Sequence, residues 1–284
     1  MKRTLFSLLL CLTLLAVAAP ASASLREVKE TDKIDPTLPP LSMQALQEIE
    51  PTTDWDSGDS KLPLDIRHEA LKEAALSFGA RGGLAARTYD IYQELQSRAS
   101  YLDRVYNFRN LLIAAPSGLL IEPPIVSESL DALLVEGDGQ TAAVADVVYN
   151  INRNVRIVST SRNWRQYLER QWGHIQEPPD ILRPKNADER KMWRELVAKG
   201  WAEGATQADE IFEQDLNRLA ADFNGMIRYR KLLTQGQISA PYATQLDRGI
   251  TGGGEEMRVG DRAVRITEKP QFLTGGREWQ PASR

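Results

Sequence analysis

Residues 69–84 read Glu69-Ala70-Leu71-Lys72-Glu73-Ala74-Ala75-Leu76-Ser77-Phe78-Gly79-Ala80-Arg81-Gly82-Gly83-Leu84. Leu71, Ala74, Ala75 and Phe78 recur at i, i+3, i+4 and i+7, so a helix is predicted over Leu64–Phe78. Gly79 stands where a helix stop belongs, and Gly79, Gly82 and Gly83 predict a tight connection. From Leu84 the periodicity resumes. Leu84, Thr88, Ile91, Tyr92, Leu95, Ala99, Leu102, Val105 and Tyr106 hold one face, with Arg87, Asp90, Glu94, Arg98 and Asp103 mostly off it. The reading is two amphipathic helices joined at Gly79–Gly83 and folded back as an antiparallel pair. The same stretch is not a phosphate loop, because no Lys-Ser/Thr follows the glycines and no strand precedes them.

Downstream the pattern changes. Leu111-Leu112-Ile113 and Leu119-Leu120-Ile121 are short apolar runs bounded by Pro116-Ser117-Gly118 and by Pro123-Pro124. Gly137-Asp138-Gly139 is a turn signal, and residues 142–158 are rich in Val, Ile and Tyr, with partial alternation at Val144, Val147 and Tyr149. Three or four short strands are predicted within 108–160. Helix returns over Asn163–Gln171 and over Ala187–Leu233, the latter as two helices or one broken near Gly200–Gly204. Ala208, Ile211, Phe212, Leu216, Leu219, Phe223, Met226, Ile227 and Leu233 form its apolar stripe. Trp164 and Trp172, like Trp193 and Trp201, stand eight apart, which suits two helices burying Trp alike rather than a repeat. Val259, Val264 and Ile266 around Gly260-Asp261 predict a small C-terminal hairpin with alternating Arg on one face, able to join a sheet of its own or of a partner. The expected fold class is α+β: mainly helical, with a small antiparallel β element in the middle and a C-terminal hairpin.

The chain of 284 residues is 42% hydrophobic and 26% charged, which excludes a collagen-like or wholly disordered protein. Residues 1–23 read as a secretory signal. Lys2 and Arg3 precede a 15-residue run, Leu5–Ala19, that is apolar apart from Ser7, Cys11 and Thr13, and Ala21-Ser22-Ala23 places cleavage between Ala23 and Ser24. The run falls short of the ~20 apolar residues of a permanent span. Cys11 is the chain's single cysteine. Read as a lipid-bearing residue it would leave too short an apolar region before it, and Leu10 stands where a small residue is normal. Lipidation at Cys11 is therefore the disfavoured alternative to an ordinary residue of the signal. Loss of Lys2 and Arg3 leaves 33 basic against 39 acidic residues and no cysteine. That balance disfavours a broad nucleic-acid surface, although Arg153, Arg156, Arg162 and Arg165 interleave with Trp164 and Tyr167; partner contacts are the expectation there. Residues 24–62, with Pro36, Pro39, Pro40 and Pro51 and nine acids against four bases, read as an extended, largely disordered arm. Ile34, Leu38, Leu41, Met43, Leu46 and Ile49 allow it to dock instead on a neighbour. The remaining organisation is a mainly helical domain over 63–250 and a Gly-rich tail over 251–284.

Reactive constellations are sparse. Pro116-Ser117-Gly118 lacks the first Gly of a nucleophile elbow. His68 is not the start of a His-Glu-x-x-His zinc helix because Lys72 stands at the second position, and His174 has no carboxylate or Ser motif beside it. Asp209, Glu210, Glu213 and Asp215 read as a solvated helix face, and Asp54, Asp56 and Asp59 lack the Gly and closing Glu of a calcium loop. No catalytic residue, cofactor site or metal site is assigned. A cell-wall hydrolase would need two acids across a cleft, which linear sequence does not reveal. A two-lobed binding protein would need a βαβ alternation that is not visible.

Residues 69–84 as quoted resemble the DotC family. So do Leu119-Leu120-Ile121-Glu122-Pro123-Pro124-Ile125-Val126, Asn163-Trp164-Arg165 with Tyr167-Leu168, Pro178-Pro179-Asp180-Ile181-Leu182, and Thr251-Gly252-Gly253-Gly254. The resemblance spans about residues 64–268 and includes the plasmid conjugation proteins called TraI in IncI systems. It implies a non-enzymatic structural subunit of a type IVB secretion or conjugal transfer apparatus. That subunit is periplasmic and held at the outer membrane in a multimeric ring with DotD-like and DotH-like partners. It implies no cofactor and no direct nucleic-acid binding. Typical members are lipoproteins, and the placement of Cys11 departs from that pattern, so membrane attachment through partners is the expectation. The alternative function is a periplasmic peptidoglycan hydrolase serving such a machine.

Overall fold

The structure, a computed structural model, describes residues 38–52, 64–136 and 141–276. Its helices are α1 (Met43–Gln47), α2 (Leu64–Ser97), α3 (Ala99–Val105), α4 (Arg165–Leu168) and α5 (Ala187–Thr234). Its strands are β1 (Ile113–Ala114), β2 (Leu120–Glu122), β3 (Ile125–Glu136), β4 (Thr141–Arg153), β5 (Arg156–Val158), β6 (Tyr242–Gly253) and β7 (Glu256–Glu268). The fold is α+β, as expected. The expected signal at residues 1–23, with Cys11 and the cleavage position Ala23–Ser24, lies outside the described residues.

The Gly79–Gly83 connection does not exist. α2 runs unbroken through it for 34 residues, and α5 runs unbroken through Gly200–Gly204 for 48. The glycines mark where the two helices touch. A Cβ on Gly79 would lie 2.3 Å from the Val197 carbonyl oxygen, and one on Gly83 2.1 Å from that of Trp201. In return, a Cβ on Gly200 would lie 2.2 Å from the Leu76 oxygen, and one on Gly204 2.0 Å from that of Ala80. Each helix thus offers two glycines at i, i+4, and backbone meets backbone. Each glycine costs about 1 kcal/mol of helix propensity relative to Ala; the close approach and the packing around it offset that cost. Gly82 faces elsewhere, with a Cβ position 2.3 Å from Leu46 Cδ2 of α1.

The contacts also give direction. Residue numbers rise together on the two helices, so α2 and α5 are parallel rather than a folded-back hairpin. Ion pairs Arg67–Glu189 and Arg87–Asp209 lie at either end of the contact, both with a separation of 122 residues. A parallel pair demands a long return path, and the whole of 98–186 supplies it.

The core lies along α5. Near its start, Trp193 and Val197 pack with Leu71, Ala75, Phe78, Trp172 and Ile175. Farther on, Ala208, Leu219 and Met226 pack with Ile91, Leu95, Phe108, Ile125, Trp164, Tyr167 and Leu168. At its end, Tyr229 and Leu232 pack with Val126 and Ile238. The arm expected over 24–62 is described only at 38–52, and there it is anchored on its own chain. Leu46 is fully buried, the Trp193 indole Nε1 donates to the Leu46 carbonyl at 3.0 Å, and Arg183 Nη1 donates to the Glu50 carbonyl at 3.1 Å.

The expected middle strands are present, with five in place of three or four. β1, β2 and β5 form a three-stranded antiparallel sheet with Ile113 opposite Ile121 and Leu120 opposite Val158. Pro123-Pro124 separates β2 from β3, which pairs with β4 as a long hairpin. Only one turn of the helix expected at Asn163–Gln171 forms, Arg165–Leu168. Trp172 lies beyond it, flanked edge-on by Tyr89 and Tyr92, so the two eight-residue Trp spacings have different structural causes. The C-terminal hairpin is larger than expected and turns at residues 254–255, not at Gly260-Asp261. Gly249 and Gly260 instead adopt φ of 69° and 71° near a register irregularity around Asp247–Ile250.

Two predictions follow from the helix pair. Gly83→Ala and Gly204→Ala should each destabilise the protein by about 2–3 kcal/mol or more in urea unfolding. Gly173→Ala, where an added Cβ meets nothing within 4 Å, should be close to neutral. The second concerns Glu189, clasped through both carboxylate oxygens by Arg67. Burial pushes its carboxyl up, but the Arg67 guanidinium and the Lys185 backbone N–H outweigh burial and hold it below the usual carboxylate range. A depressed folded value contributes stability above the unfolded pKa of about 4.3 and loses it as pH falls through the folded value. Wild type should therefore exceed Glu189→Gln by about 2 kcal/mol near pH 7. The two unfolding curves should converge as pH falls below about 4.

Candidate assembly surfaces

β3 and β4 have 12 and 13 residues, so the hairpin reaches about 40 Å. Its base is fixed. Ile125 and Val126 are buried, and Gly225 of α5 lets β3 pass closely, since a Cβ there would lie 2.6 Å from Ile125 Cγ2. Arg228 donates to the Val126 carbonyl at 2.7 Å and to Glu128 at 3.0 Å, and Glu128 also accepts from the Tyr149 hydroxyl at 3.1 Å. Beyond that point the strands leave the core. Leu130 pairs with Val147 on one face and Leu133 with Val144 on the other. Leu130 is 67% exposed on the first face and Val144 73% on the second, so both faces carry open apolar side chains. Asp131, between these pairs, has φ 49°, the left-handed region that a non-glycine residue enters at a cost.

β6 and β7 repeat the arrangement. Their base is tied by the Ser239 N–H donating to Gln271 O and the Leu273 N–H to Gln237 O, each at 2.9 Å. Toward the tip, Ile250 pairs with Val259, and Met257 and Val259 are 72% and 71% exposed. Each hairpin is a two-stranded sheet, so among the described residues both of its outer edges lack a strand partner. An open edge is a row of unpaired N–H and C=O groups, a template for a further strand.

Beneath the β3–β4 base lies a charged cluster. Glu122 of β2 is 2% exposed and accepts from Arg162 Nη2 at 2.6 Å and Arg156 Nη2 at 3.0 Å. Asp222 of α5 accepts from Arg162 Nη1 at 2.7 Å, from Arg153 at 3.2 Å and from the Tyr167 hydroxyl at 2.7 Å. Asp215 is buried between Arg170 and Arg218, the latter at 3.0 Å. Burial opposes the charge on Arg162, yet its bonds to Glu122 and Tyr167 outweigh that and raise its pKa further. Burial also pushes the Tyr167 phenol up.

Of the basic residues singled out in the sequence, Arg153, Arg156 and Arg162 meet here, together with Tyr167. Arg165 turns away to Asp103 at 2.8 Å and lies over the Trp164 ring, 4.4 Å from its centroid. Glu122, Asp222 and Arg218 are missed by sequence reasoning, and Asp215 is read there as solvated; the signal at Asp215 and Asp222 is a carboxylate inside the apolar stripe of α5. The acids read as one solvated face divide: Glu210 and Glu213 are exposed, Asp209 bridges to Arg87, and Asp215 is buried. His68, on α2, and His174, in the extended segment after α4, are both exposed. Residues 116–118 form a 3-10 turn; Asp54, Asp56 and Asp59 lie outside the described residues. Among the described residues, no three or more His, Cys, Asp or Glu side chains are grouped to hold a metal ion.

A family model described as "type IV secretory system, conjugal DNA-protein transfer", of the TraI type, matches residues 65–281. The chain belongs to this family. No curated protein sequence matches it. This TraI-type chain is thus a component of type IV secretion and conjugal transfer. The family match spans nearly all of α2, the charged cluster, α5 and both hairpins.

Removing one member of the cluster should be severe. Arg162→Ala strips Glu122 and Asp222 of their shared buried partner and should lower unfolding free energy by about 3–5 kcal/mol. Tyr167→Phe, which removes a hydroxyl that both donates and accepts there, should cost about 1–2 kcal/mol by the same measurement.

Proposed function

We propose that this chain is a structural subunit of the outer-membrane core complex of a type IVB secretion or conjugal transfer apparatus, of the DotC type. It acts by protein–protein assembly and not by chemical conversion. The single observation that carries the reading is the pair of long hairpins, each with exposed apolar side chains and, among the described residues, with no strand partner at its outer edges, in a family of transfer machines. Such surfaces invite aggregation when left bare, so their retention points to partners that cover them. The mode fits strand addition, in which main-chain hydrogen bonds supply affinity and alternate side chains supply specificity.

The expected partners are DotD-like and DotH-like subunits in a ring. The signal pattern at residues 1–23 supports export to the periplasm. Among the described residues no helix is long and apolar enough to cross a membrane, which agrees with attachment through partners, the reading favoured over lipid at Cys11.

The test is purification of the tagged chain from cross-linked envelopes of transfer-competent cells. DotD-like and DotH-like subunits should co-purify. Leu133→Lys with Val144→Lys, and separately Met257→Lys with Val259→Lys, should reduce that co-purification and transfer frequency by roughly tenfold or more while unfolding is little changed, because these side chains are exposed. A partner-free monomer, or variants that transfer at the wild-type rate, would defeat the reading. Clearing of peptidoglycan in a zymogram by the folded chain would favour the hydrolase instead.

A further inference from the structure

The arginines around Tyr167 do more than neutralise buried acids. Arg153, Arg156, Arg162, Gln166, Tyr167, Arg218 and Asp222 line an open cleft of about 390 Å³. Behind it, Glu122 is shared by Arg156 and Arg162, Asp222 by Arg153 and Arg162, and Asp215 by Arg170 and Arg218. Five guanidiniums therefore meet three carboxylates, an excess of two positive charges in a chain whose net charge is −4.

The spare donors point the same way. Arg153, Arg156 and Arg218 line the cleft half-exposed, and among the described residues each bonds its acid through one terminal nitrogen. They come from three elements: the end of β4, the start of β5, and α5. Arg162, nine-tenths buried, has an Nε that finds no hydrogen-bond partner among the described residues. Guanidiniums from three elements can reach the oxygens of a phosphate from several sides, and their forks match its geometry. An excess of two charges suits a dianion. The volume sits at the lower end of sites for small molecules, larger than an isolated ion needs. A nucleic-acid track would need basic residues spread along a surface, which the acidic balance does not provide.

We propose that this cleft is a binding site for a phosphomonoester, carried by a soluble molecule or by a lipid headgroup. Recognition is by charge and by bidentate guanidinium contacts; no bond is made or broken. A phosphomonoester reaches its dianionic form above a pKa near 6, so affinity should fall as pH drops below about 6.

The experiment uses the full mature chain, with glycerol 3-phosphate as the soluble probe and two vesicle types, phosphatidic acid in phosphatidylcholine and phosphatidylglycerol in phosphatidylcholine at equal surface charge. Calorimetry and a thermal shift should detect glycerol 3-phosphate but not acetate at equal ionic strength, or phosphatidic acid vesicles should be bound in preference to phosphatidylglycerol ones. Binding of the soluble probe alone assigns a free ligand, and preference for phosphatidic acid assigns a headgroup. Arg156→Gln and Arg218→Gln should each weaken binding roughly tenfold. Both should fold, because Glu122 keeps Arg162 and Asp215 keeps Arg170. The proposal is overturned if neither probe binds better than its control, if affinity ignores pH between 5 and 8, or if Arg156→Gln and Arg218→Gln both bind as wild type does.

Discussion

Two helix backbones in direct contact set the terms for the rest of this chain. Gly79 and Gly83 meet Val197 and Trp201, and Gly200 and Gly204 meet Leu76 and Ala80. Four missing side chains bring α2 and α5 closer than any residue with a Cβ allows, and the helices then run side by side in the same direction. Parallel neighbours cannot be joined by a short turn. The chain must return from the end of α2 to the start of α5, and on that return it makes β1 to β5, the one-turn α4 and the extended stretch that carries Trp172 and Arg183. Leu46 docks on another side of α2, against Gly82.

Burial of charge is the second organising feature. Glu122, Asp215 and Asp222 sit where apolar side chains would be cheaper, and each is held by two arginines. Such an arrangement tolerates loss of an outer arginine better than loss of a carboxylate's only inner partner. It joins β2, the end of β4, β5, the segment at Arg162 and α5 with directional contacts, and so fixes the angle at which the β3–β4 hairpin leaves the body.

Much of this was legible in the amino-acid order, and the failures have physical causes. The stripes from Leu71 to Phe78 and from Ala208 to Leu233 report helices because burial on one side imposes a period of 3.6. The Val- and Ile-rich run at 142–158 reports strands for the matching reason. Gly79–Gly83 misleads because the absence of a Cβ serves a turn and a close helix crossing equally well. What separates them is a partner 122 residues away, and the matching spacing of Gly200 and Gly204 was the only local hint. Gly260 misleads likewise: a left-handed φ suits a bulge as readily as a hairpin turn. At the charged cluster, the arginines of residues 153–162 were visible as a group, whereas their carboxylates come from β2 and α5 and no spacing in the chain connects them. TraI-family membership adds the machine in which the chain works, a statement that none of these local signals makes.

The separation of the two helices in the chain also bears on how the molecule comes into being. Contacts between α2 and α5 bind residues about 122 positions apart, so little of the helix pair can form early. At synthesis rates of about 5–20 residues per second, α2 waits roughly 6–24 s before its mate exists. Over that interval its glycine face and the Leu71–Phe78 stripe have nothing to cover them. A helix pair joined across so long a stretch forms late, after the chain between its halves is available to close the loop.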